Sequence, residues 1–290
     1  LLLAIFSQVV AGVPYSWKKF GGGLELEWIG YYLDYKRFEV GISEARAGWL
    51  IKWMRDTLAA GGVLTTTMEE VLGRFGFAAI ALPHLKPWLG PLYAWVAATP
   101  KGCFLALPVL IRLILTAILE ALVNGGARIR VQVAREEKSR HFLADAMASD
   151  TRVGIGGWER VEGRPAADSP WFAEEFTPAE APWIFAQGQD QAFRKIAALE
   201  LIGTIACVRL FGNKERHLGE SVVMSGLTDN KGNSHILAKL MTTSFPLCAV
   251  LLQLTTDLSS RGVELDLQWV PRDDNELADA LSNGRVDGMD

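Results

Sequence analysis

The sequence predicts a mixed α+β or α/β chain, with a helix-rich first half followed by a mixed β-sheet flanked by helices. Three observations carry that expectation. Between residues 43 and 123, long helical stretches alternate with Gly and Pro breaks. After about residue 140, short apolar stretches of strand length alternate with helical ones. The charge also changes sign: residues 1–140 carry 16 Lys and Arg against 11 Asp and Glu, and residues 141–290 carry 13 against 22. A basic stretch suits a phosphate backbone, and an acidic one suits a cation site or simple solubility.

Half of the 290 residues are hydrophobic and 21% are charged, so a sizeable core can form without staples. Cys103, Cys207 and Cys248 are odd in number and far apart. They read as thiols of a reducing compartment, so the expected location is intracellular (cytoplasm or nucleus), not secreted. The opening Leu1–Val10 run lacks the basic start and cleavage site of a signal peptide, and reads as a helix inside a longer protein. Cys103–Val123 is apolar, but Pro108, Arg112 and Glu120 interrupt it. A packed helix is expected there, and no membrane partner.

In order along the chain, residues 1–11 read as a helix and Gly21–Gly23 as a turn. Leu24–Leu33 and Arg37–Ile42 read as two strands around Asp34-Tyr35-Lys36. Ser43 is a good N-cap for a helix over Glu44–Ala59, and Gly61-Gly62 ends it. Thr67 caps Met68–Phe75, and Pro83, Pro87 and Pro91 break up the stretch beyond it. Residues 103–123 form a helix closed by Gly125-Gly126. His141–Ala148 and Arg152–Trp158 read as a hairpin, with a third strand at Trp171-Phe172. Helices are expected over Gln191–Leu210, Asn233–Leu240, Phe245–Ser260 and Asn275–Ser282, and strands over Ser221–Leu227 and Val263–Val270. No phosphate loop is present, and Gly154, Gly156 and Gly157 precede no helix, so a dinucleotide fingerprint fails its context.

Four acids stand out by position: Asp145 within a strand, Glu200 within a helix, Asp229 at a strand end and Asp279 in the last helix. Asp150 is a rival for the first, but lies in the expected hairpin turn. Glu200 has Ile196, Ala197, Gly203 and Thr204 at helical spacing, a mostly small face on which an isolated carboxylate is costly unless paired or bound to metal. Taken singly, each acid reads first as a solvated or turn residue; their joint order points to magnesium, which takes oxygen ligands.

Ala144-Asp145-Ala146 with Gly154-Ile155-Gly156-Gly157-Trp158, then Ile196–Glu200, Thr228-Asp229-Asn230, and Trp269-Val270-Pro271-Arg272 leading to Asn275–Asp279, resemble the ribonuclease H domain of retroelement reverse transcriptases. The resemblance covers about residues 140–284. It implies a ribonuclease H-like mixed sheet and a nuclease that cuts the RNA strand of RNA–DNA hybrids. It also implies two Mg2+ ions (Mn2+ possible) held by Asp145, Glu200, Asp229 and Asp279. Two departures stand out: residues 160–190 are a long insertion, and no His lies between Trp269 and Asp279.

The first hundred residues, through Gly12-Val13-Pro14, Lys18-Lys19, Glu27-Trp28-Ile29-Gly30-Tyr31, Leu72–Phe75 and Pro87–Trp95, resemble the region after a reverse transcriptase's catalytic aspartates. Implied domains are a palm remnant with a primer-gripping hairpin (1–42), a helical thumb and connection (43–139) and the nuclease (140–290). The polymerase signature is absent and would belong to an upstream polymerase domain of the same polyprotein. Lys18, Lys19, Trp28, Gly30, Asn230, Asn233 and Arg272 are the expected nucleic-acid contacts, the two asparagines toward the RNA 2′-hydroxyl. The alternative is a non-catalytic nucleic-acid-binding or structural remnant of a decayed retroelement.

Overall fold

The computed structural model describes residues 2–12, 21–131, 134–185, 195–212 and 221–286. The first half opens with α1 (Leu2–Val10), followed by antiparallel β1 (Glu25–Trp28), β2 (Tyr31–Asp34) and β3 (Glu39–Ile42). The single strand expected over Leu24–Leu33 is two strands. Ile29 and Gly30 both take positive φ, 52° and 86°, which is the chemistry of a tight hairpin turn. The Arg46 side chain packs directly over Gly30 and would have to move aside for a Cβ there.

Helix α2 (Glu44–Ala60) starts where expected, its N-cap Ser43 accepting the Arg46 amide hydrogen at 3.4 Å. After β4 (Gly62–Leu64), α3 spans Thr65–Ala81, longer at both ends than expected. Its buried face continues past Phe75 through Ala78 and Ala79, which carries the helix on. Helix α4 (Lys86–Ala98) takes in Pro91 rather than breaking at it. An interior proline costs about 3 kcal/mol; burying Leu89 and Leu92 contributes roughly 2 kcal/mol each and offsets that.

The expected helix over 103–123 is a short strand, β5 (Phe104–Ala106), paired with β4, and then α5 (Val109–Ala121). Pro108 holds Leu107 out of helical geometry and so sets the boundary. Ile111, Ile114, Leu115 and Ile118 of α5 enter the first core, while Val109, Leu110 and Leu113 face outward. The stretch Val109–Gly126 is long and apolar enough to cross a membrane by length and composition, with 28% of it buried. β6 (Arg128–Arg130) returns to β3.

The second half is one five-stranded sheet: β7 (Ala134–Ala148), β8 (Val153–Val161), β9 (Trp171–Phe176), β10 (Ser221–Thr228) and β11 (Val263–Trp269), in the order β11-β10-β7-β8-β9. β7, β8 and β9 are antiparallel, and β10 and β11 run parallel to β7. Helices α6 (Ile196–Phe211), α7 (Lys231–Lys239), α8 (Leu247–Arg261) and α9 (Glu276–Ser282) flank it. Residues 191–194 of the expected Glu200 helix lie outside the described residues.

Part of the long insertion is structural: Ala181 and Ile184 pack with Ala146, Val153, Ile155 and Leu199. The two halves meet where α4 packs on α8, and Gly90 lies close enough to Thr242 that a Cβ would strike its carbonyl.

Candidate metal centre

Asp145 lies in the middle strand of the sheet, opposite Gly156 of β8. Residues directly opposite share a face. Gly154 and Gly156 leave that face bare, and α9 occupies it; a Cβ on either glycine would collide with the Ser282 backbone. The close approach lets Ser282 Oγ donate to Asp145 Oδ2 at 3.1 Å. Asn275, at the start of α9 and 1% exposed, donates to the Ala144 carbonyl at 3.4 Å.

Glu200 enters from α6. The helix packs on β7, with Gly203 facing Ala144 and Asp145. Asn233 of α7 donates to Glu200 Oε2 (3.1 Å) and to the Ala197 carbonyl (2.9 Å). Asp229 follows the last residue of β10. Val270 N–H donates to the Thr228 carbonyl at 2.9 Å, and the Trp269 indole N–H to the Asp229 carbonyl at 3.0 Å, which fix the strand end.

One carboxylate oxygen from each of Asp145, Glu200 and Asp229 lies within 4.8 Å of the others. Asp145 and Glu200 are buried. Burial raises Asp145 to about 6, with repulsion from Asp229 next. Burial likewise raises Glu200 to about 8, against the Asn230 side chain, which favours its charged form. Three converging carboxylates with mutual repulsion and oxygen-only donors fit a hard divalent cation, whose charge would relieve that repulsion.

The structure brings three of the four expected acids together. Asp279 lies outside that 4.8 Å group yet still acts electrostatically on Asp145, and Arg272 Nη2 lies 2.8 Å from its Oδ1 and Arg285 Nη2 3.0 Å from its Oδ2. Arg272, expected as a nucleic-acid contact, is thus ion-paired to Asp279 while its side chain stays 77% exposed. Asn233 also differs from the expectation. It is 1% exposed and spends its amide donors on Ala197 and Glu200, which positions Glu200. Asn230 is half-buried and caps α7, its oxygen accepting the Asn233 amide hydrogen. Trp28, 61% exposed, and Gly30 sit in the β1-β2-β3-β6 sheet, separate from the sheet that bears Asp145. Lys18 and Lys19 lie outside the described residues. Asp150 is exposed beyond the end of β7.

Sequence reasoning missed Ser282, Asn275 as a backbone clamp, and Arg285. Ser282 could have been found, because it lies three residues beyond Asp279 and so shares its helix face.

No protein-family model matches the chain, and no curated protein matches it. Among solved structures, 51% of the chain is similar to 97% of RNase H1 from the halophilic archaeon Halobacterium salinarum NRC-1, with 17% identity and a TM-score of 0.34. The same share is similar to 96% of LC11-RNase H1 in complex with RNA/DNA hybrid, with 17% identity and a TM-score of 0.35. A wider match, over 84% of the chain and 29% of the other, is to the foamy viral protease-reverse transcriptase in complex with RNA/DNA hybrid, with 13% identity and a TM-score of 0.27.

Proposed function

We propose that this chain is a ribonuclease H-type hydrolase that cuts the RNA strand of an RNA–DNA hybrid, using divalent magnesium or manganese. The observation that carries the reading is the convergence of Asp145, Glu200 and Asp229 within 4.8 Å at the middle of the sheet. We also propose the retroelement context: residues 1–42 as a palm remnant, 43–139 as thumb and connection and 140–290 as the nuclease, with a polymerase domain upstream. Lys18, Lys19, Trp28 and Gly30 then belong to the surface that meets the hybrid.

Asp145 and Asp229 are the residues to hold the shared cation, with Glu200 completing one side and Asp279 the other. When bound, two such ions supply an activated water and stabilise the leaving oxygen of a phosphodiester. The chain's own contribution is orientation. Ser282 fixes Asp145, Asn233 fixes Glu200, and the Trp269 indole fixes the backbone of Asp229. Such supporting partners matter to metal affinity almost as much as the ligands.

The test is cleavage of a labelled hybrid with Mg2+ or Mn2+ by the wild-type chain and by Asp229→Asn. RNA-strand cleavage that falls about a hundredfold or more in the variant is expected. Hybrid binding without cleavage would instead support the non-catalytic reading, which the two arginines on Asp279 favour.

A further inference from the structure

The fourth acid differs from the other three in what faces it. Each Asp279 oxygen has its own guanidinium partner, and Asp279 is 24% exposed while Arg272 and Arg285 are 77% and 63% exposed. The three residues line one open depression of about 450 Å3, together with Asp273, Glu276 and Ala280. Asp145 and Asp229 act electrostatically on Arg272, so the pair sits within reach of the carboxylate group. The helix that carries Asp279 is itself anchored through Ser282 and Asn275, so Asp279 can change partners without moving its backbone.

We infer that Arg272 and Arg285 form an exchangeable clamp: they occupy Asp279 in the free protein, and release it for the second cation when a phosphate of the nucleic acid takes their guanidinium groups. This inference rests on the function proposed above. Guanidinium groups fit phosphate and carboxylate oxygens alike, so one anion can replace the other. Exposed ion pairs are individually weak, so the clamp opens at small cost. Phosphate binding and second-cation binding then favour one another, as reciprocal linkage requires.

The experiment is calorimetric titration of Mn2+ into the full chain without nucleic acid, comparing wild type, Arg285→Gln, Arg272→Gln and Asp229→Asn. The wild type is expected to bind one ion more tightly than a second. Arg285→Gln should tighten the second ion about fivefold and leave the first unchanged, while Arg272→Gln should tighten the second about as much and the first slightly, because Arg272 also feels Asp145 and Asp229. In parallel, each arginine variant should weaken binding of a hybrid held in Ca2+ and lower its salt slope by about one. Arg285→Lys keeps the charge and should lie between wild type and Arg285→Gln. A second ion that binds no more tightly in either glutamine variant overturns the clamp. If Asp229→Asn still loses the first ion in that case, the metal site stands and only the clamp fails. A wild type that binds no ion overturns both.

Discussion

Asp34 and Asp145 are nearly equally hidden, at 5% and 7% exposure, yet their surroundings push them in opposite directions. Asp34 is wrapped by its own turn. The amide hydrogens of Arg37 and Lys36 reach its Oδ1 at 3.0 and 2.8 Å, and the Arg37 amide is the chief cause of its lowered pKa. Asp145 sits under a helix with one hydroxyl donor and two other carboxylates nearby, and is raised to about 6. Backbone donors resolve Asp34, and Arg140 resolves buried Glu159 in the second half, but the Asp145–Glu200–Asp229 cluster keeps its repulsion. Unresolved charge of this kind marks a functional site more than a structural one.

The largest effect that would sharpen the contrast is on ion affinity. Asn233→Ala removes the donor that holds Glu200, and should weaken divalent-ion binding about 10- to 100-fold by titration. Unchanged affinity would make Asn233 a packing residue only. Next is Gly156→Ala, which forces α9 off β8. It should cost about 1–3 kcal/mol in chemical denaturation and weaken ion binding as well.

Smaller effects should have opposite signs in the two regions. Glu200→Gln removes a raised carboxylate, and without divalent ions should stabilise the chain at pH 8 by about 1 kcal/mol or more. Asp34→Asn should lower the melting temperature by a few degrees, because a well-partnered carboxylate is lost. The pH dependence splits in the same way. Folded Asp145 and Glu200 keep protons that the unfolded chain has already lost, so their contribution is full below about pH 4 and is lost as pH rises through 6 and 8. Asp34 contributes above its unfolded value and loses that contribution as pH falls. Thermal melts from pH 4 to 8, with and without Mg2+, check both; magnesium should raise the melting temperature more at pH 8 than at pH 6.

Much of this was legible in local sequence. Ser43 announces its helix, the small face around Glu200 announces a helix that approaches the sheet, and Thr228-Asp229-Asn230 announces a strand end. What was not legible depends on partners far along the chain. Ile29-Gly30 sits in an apolar run that looks like continuous strand, and only the Arg46 side chain and the sheet make a turn there. Pro91 looks like a break until burial of its neighbours is known. Asn233 reads as an exposed polar residue until α6 covers it, and Asp279 looks equivalent to the other acids until Arg285, six residues on, reaches back to it.

The most direct test of the three-carboxylate site is proton release on cation binding. Magnesium titrated into the full chain at pH 7, in buffers of different ionisation enthalpy, should release about one proton as the first ion binds, mostly from Glu200. That release should disappear in Glu200→Gln. Binding with no proton released, or no binding at all, would contradict a metal centre built on Asp145, Glu200 and Asp229.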